Sequence, residues 1–168
     1  MRTHPLIVVI IVASLAIYAL VRELGHVLAC VIMGMPFDWI MIYGFLPSVR
    51  TPAEAALLSG RSLAVILLSG PVAELIVGYV LLYGIAKRPP RFASLRLLGA
   101  ITCYACLIFD PVYYSVVPLF RLGGEPESLA ALTGVTMSRI GIPALILLVL
   151  NVILARRVLT PVVRRQAL

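Results

Sequence analysis

Residues 5–33 form a nearly unbroken apolar run whose second half carries Arg22, Glu23 and His26. A hydrocarbon core of about 30 Å is crossed by about 20 helical residues, so this run is long enough to span a bilayer with length to spare. In lipid every backbone N–H and C=O must be satisfied internally, and a single segment does this only as a helix. Further apolar runs at 62–86, 97–120 and 137–157 repeat the pattern. The expected fold is therefore an all-α polytopic membrane protein with about four transmembrane helices, forming a single integral membrane domain over residues 1–168. Arg2 precedes the first run as in a signal peptide, but no small-residue cleavage site interrupts it, so a retained span is expected.

Composition excludes several classes of function. With 62% hydrophobic and 12% charged residues and a mean hydropathy of +1.09, the chain has too few polar residues to coat a soluble core. The bilayer is its first expected partner. The net charge of +7 does not point to nucleic acid, because the basic residues cluster at the ends of apolar runs instead of lying among aromatics on a polar face. They read as topology signals. Four spans put Arg2, the loop residues Lys87, Arg88, Arg91 and Arg96, and the tail residues Arg156, Arg157, Arg164 and Arg165 on one side. The other side is balanced, so both termini are expected to be cytoplasmic; basic segments there also attract anionic lipid. Three cysteines, all within apolar runs, argue against a disulfide framework.

Charged groups inside a span are rare and by default mark a functional site. On a helix, Glu23, His26 and Cys30 share one face, and Arg22 stands one turn before His26. The stretch Arg22-Glu23-Leu24-Gly25-His26 resembles the zinc-binding helix of the site-2 protease family of intramembrane metalloproteases, whose pattern is His-Glu-x-x-His, often with Gly before the second His. In that pattern two histidines bind zinc and the glutamate activates its water. The resemblance makes Glu23 the general base and His26 a zinc ligand, but it places Arg22 where the first ligand belongs. A guanidinium has no lone pair to give and stays protonated. His4 is the other histidine, roughly six turns up an ideal helix and too far to substitute.

Later features extend the resemblance over about residues 18–134. The second run contains Ser69-Gly70-Pro71-Val72-Ala73-Glu74, like the Gly-Pro and small residues of the family's central helix. Small residues let membrane helices approach closely. Glu74 stands where the family often has Asn, and as a buried acid it needs a cationic or hydrogen-bonding partner or must stay protonated. Asp110, before Pro111, is the best match to the family's later aspartate ligand, with Cys103 and Cys106 on the same helical stripe. Glu125, in Gly123-Gly124-Glu125-Pro126, is its rival, although such a sequence more often makes a solvated turn. Residues 37–49, with Trp39, Tyr43, Gly44 and Pro47, are too short and punctuated to span. An interfacial segment suits the aromatics; the resemblance implies a membrane-dipping β-hairpin or loop. A short surface helix is expected over 51–61.

Three functions are compatible with these residues. A pseudo-protease would use Arg22 as a fixed positive charge paired with Glu23, Asp110 or Glu74, bind no cofactor, and act by binding or scaffolding a transmembrane partner subunit. An active intramembrane zinc metalloprotease would cleave a transmembrane protein substrate, with Glu23 as base and zinc on His26, Asp110 and a rewired ligand among Cys30, Cys103 and Cys106. A small transporter or channel would line a polar pathway with Arg22, Glu23, Glu74 and Asp110. The missing first ligand favours the first.

Overall fold

The computed structural model describes residues 5–42, 46–50, 60–87, 91–120 and 122–164. The elements are α1 (Pro5–Ile32), β1 (Asp38–Ile42), β2 (Leu46–Arg50), α2 (Gly60–Lys87), α3 (Ala93–Phe120), α4 (Glu125–Thr133) and α5 (Met137–Arg164). Helices α1, α2, α3 and α5 are long and apolar enough to cross a membrane. The protein is thus a helical, multi-pass membrane protein, as its apolar runs require. At 28 residues and 1.5 Å per residue, each long helix is about 42 Å long, more than the hydrocarbon core needs. The helices extend past the expected span limits chiefly at the start of α3 and the end of α5. Most of the short helix expected over 51–61 falls outside the described residues; Gly60 and Arg61 already belong to α2.

Between α1 and α2 the chain makes a two-stranded antiparallel hairpin, with Asp38 opposite Arg50 and Ile42 opposite Leu46. It follows the glycine at position 34, whose φ of +64° turns the chain after α1 at little steric cost. The hairpin lies against α1 through β2.

Helix α3 is the centre of the bundle. It packs against α1, α2, α4 and α5, and its buried residues run from Ala100 to Pro118. One apolar cluster joins Leu82 and Ile85 of α2, Ala100, Cys103 and Leu107 of α3, and Ala155 and Leu159 of α5. The outward faces of the long helices carry exposed Leu, Ile, Val and Phe, among them Leu28, Ile32, Val80, Leu119 and Leu150. Such a surface suits lipid and not water.

Two packing devices set the helix positions. Gly25 of α1 lies against α2 so closely that a Cβ there would stand 2.5 Å from the Ser69 carbonyl oxygen and 2.8 Å from Ala73 Cβ. The small residues of α1 and α2 form a close-contact seam of the kind membrane helices use. In α3, Pro111 has no N–H, so the Leu107 carbonyl loses its helical donor. Asn151 of α5 supplies another: its Nδ2 donates to Leu107 O at 2.7 Å, while its Oδ1 accepts from the Tyr79 hydroxyl. Asn151 is fully buried, and its amide fixes α5 and α2 to the proline turn beside Asp110.

Candidate functional site: an arginine-centred carboxylate cluster

Arg22 lies two-thirds of the way along α1 and reaches toward α3 and α4. Its Nη1 donates to Asp110 Oδ1 at 2.6 Å, and its Nη2 donates to Glu125 Oε2. A planar fork with two outward N–H groups is the chemistry that holds two carboxylates in fixed directions. Glu74 of α2 completes the ring, with Oε1 3.9 Å from Nη1. The guanidinium side chain is 16% exposed, Asp110 4% and Glu74 0%. Four helices thus converge on one cation.

Tyrosines bind the outside of this cluster. The Tyr18 hydroxyl donates to Asp110 Oδ1 at 3.2 Å, and the Tyr114 hydroxyl donates to Glu125 Oε2 at 3.0 Å. The Glu125 N–H donates to the Tyr113 hydroxyl at 3.2 Å. Glu125 is therefore no solvated turn residue, which corrects the reading from sequence. It opens α4, where Glu125 and Glu127 occupy the first turn and negative charge is favoured by the helix dipole. The turn into α4 is possible because Gly124 adopts a φ of +90° against the Tyr113 hydroxyl.

Three carboxyls surround one guanidinium. The Glu74 carboxyl adjoins that of Asp110, and neither Glu74 oxygen nor Asp110 Oδ2 receives a hydrogen bond among the described residues. Glu74 is the least satisfied member.

His26 sits one turn past Arg22. Its Nδ1 pairs with the Ile66 carbonyl at 2.8 Å, with the Ser69 hydroxyl, itself donating to Ile66 O, 3.4 Å away. A carbonyl partner requires the proton on Nδ1 and leaves the lone pair on Nε2. That edge of the ring lies over Gly70, where a Cβ would stand 2.5 Å from Nε2 and 3.0 Å from Arg22 Cγ. The glycine of the Ser69-Gly70-Pro71 stretch therefore makes the space that His26 and Arg22 share. Glu23 is half-buried and makes an interaction of its own.

Of the cysteines, Cys106 lies near Glu74 and Asp110 and the other two lie apart from the cluster. Cys30 is buried with Ala29, Ile66, Met35 and Phe37. The Cys103 thiol donates to the Gly78 carbonyl at 3.4 Å, and Cys106 packs beside the same glycine. All three are free thiols. Among the described residues no group of three His, Cys, Asp or Glu side chains has the arrangement to hold a metal ion.

The chain matches no protein-family model, no curated protein and no solved structure. Whether the donor set fits the zinc of the site-2 resemblance is therefore judged from these residues. Among the described residues it does not fit: Arg22 occupies what that resemblance makes the first ligand position, Asp110 Oδ1 is engaged by Arg22 and Tyr18, Cys30 and Cys103 lie among apolar groups or on a backbone carbonyl, and the donors left over, His26, Cys106, Glu74 and Asp110 Oδ2, form no group of three arranged to hold a metal. A tetrahedral zinc takes three or four lone-pair donors converging on one point. Of the residues singled out in the sequence, the fold gathers Arg22, Glu74, Asp110 and Glu125, with His26 one turn away. Tyr18, Tyr114 and Asn151 had gone unremarked there. Asn151 had a legible signal, a lone amide in an apolar span of a chain with a helix-interior proline to cap.

Proposed function

We propose that the chain is a site-2-protease-like membrane protein that has exchanged metal chemistry for an internal ion-pair core, and that it acts as a pseudo-protease by binding or scaffolding a transmembrane partner. The observation that carries this reading is the Arg22 fork to Asp110 and Glu125. Both carboxylates are candidates for the later ligand position, and a cation built into α1 already neutralises them. The cluster then works as a cross-link among α1, α2, α3 and α4. It holds the bundle in one arrangement and leaves the outward apolar faces as the surfaces that meet other helices. In the same proposal both termini are cytoplasmic, as the excess of basic residues at that end implies.

A complementation experiment tests the function. A cell lacking the protein is supplied with the parent, with Glu23→Gln or with Arg22→Ala, and its membrane complexes are isolated after crosslinking. Glu23→Gln removes the general base a hydrolytic reading requires; it is expected to assemble the same complexes as the parent, whereas Arg22→Ala is expected to lose them. A membrane protein that is cleaved with the parent and stays intact with Glu23→Gln would overturn the proposal in favour of an active protease.

A further inference from the structure

The two ends of the bundle differ in charge. At one end stand Lys87 in the last turn of α2, Arg91 and Arg96 at the start of α3, and Arg156 and Arg157 on α5. Packing of Ala155 and Leu159 against Leu82, Ile85 and Ala100 sets α5 at the same level as the α2 and α3 termini. No Asp or Glu lies at this end among the described residues; Glu23, Glu74 and Asp110 are deeper in the bundle, and Asp38, Glu125 and Glu127 belong to the other end.

Two features suggest a ligand rather than a merely solvated edge. Arg156, Arg157, Thr160 and Pro161 form an open, shallow patch on α5. Arg96, one turn before buried Ala100, keeps its Nε–H out of solvent without an acceptor among the described residues. Around the same level Tyr83, Phe92, Leu95 and Leu154 are exposed, and the Lys87 ammonium sits 5.4 Å from the centre of the Tyr83 ring. Basic groups beside exposed apolar and aromatic side chains match a molecule with an anionic head and hydrocarbon tails. A soluble polyanion would satisfy only the charges.

We propose that this end of the bundle binds an anionic phospholipid, its phosphate paired with Arg156 and Arg157 on that patch and its acyl chains lying along α5. Guanidinium groups recognise phosphate through paired N–H donors, and each basic residue near an anionic leaflet adds attraction that salt screens. The proposal is independent of whether the Arg22 cluster is structural or catalytic.

The test is native mass spectrometry of the full chain released from nanodiscs of equal phosphatidylcholine and phosphatidylglycerol. The parent is expected to retain phosphatidylglycerol preferentially. R156Q/R157Q is expected to lower that preference roughly tenfold, while R139Q, at the opposite end, leaves it unchanged. Circular dichroism of both variants in the same discs checks that the helices are intact, and K87Q supplies a milder change, expected to reduce retention by a smaller factor. Equal retention of the two lipids by the parent would overturn the proposal, as would undiminished phosphatidylglycerol on R156Q/R157Q. Inorganic phosphate that protects the parent against thermal unfolding as well as phosphatidylglycerol does would also overturn it, by making the site one for a free anion.

Discussion

Arg22 and Glu74 are the residues whose roles diverge most. Arg22 is in contact with three carboxyls, and removing one partner of a buried ion pair leaves uncompensated charge behind. Arg22→Ala is expected to destabilise the folded protein by about 3–5 kcal/mol, read from denaturant unfolding in micelles. Glu74→Gln should act in the opposite direction. It keeps the side-chain volume and adds N–H donors beside Asp110 Oδ2, which has none among the described residues. Its midpoint of thermal unfolding is expected to equal or exceed that of the parent; a clear fall would mean that the Glu74 carboxylate is itself required.

At the scale of elements, the fold depends on close approach between α1 and α2 and on the repaired proline turn in α3. Gly25→Val would drive a branched side chain into the Ser69 carbonyl and Ala73, and a backbone carbonyl cannot move aside as a flexible side chain can. A cost of about 1–3 kcal/mol is expected from overpacking, measured by the same unfolding assay. Asn151→Leu would leave the Leu107 carbonyl and the Tyr79 hydroxyl without their partner, at a cost of about 1–3 kcal/mol for a buried group left unsatisfied. The four spans were legible in the sequence, though not the start of α3, the end of α5 or the helix α4, because about 20 apolar residues crossing lipid have few alternatives to a helix. The Gly25 and Gly70 seam was also legible, as small residues at matching places in two spans. Two partners of Arg22, Asp110 and Glu74, were legible as acids of neighbouring spans, but the full set was not. Choosing among Glu74, Asp110 and Glu125 depends on how far each helix is rotated and which way the chain turns after α3. Glu125 in particular was hidden, because a Gly-Gly-Glu-Pro sequence suits a surface turn as well as the start of a helix.

For the whole molecule, the proposed topology of four spans would put both termini on one side. Reporter fusions at residues 1 and 168 are expected to report the same compartment, the cytoplasm, with a fusion between α3 and α4 on the opposite side. The central claim is that Arg22 supplies the positive charge which, in the resembling family, comes from zinc. Elemental analysis of the purified chain tests this most directly, with Arg22→His and Arg22→His combined with His26→Ala measured beside the parent, and His26→Ala alone as a control. The expected result is no stoichiometric zinc in the parent, zinc gained by Arg22→His, and its loss again when His26 is removed. Stoichiometric zinc in the parent that disappears in His26→Ala would contradict the account, since a metal would then share the site with the arginine.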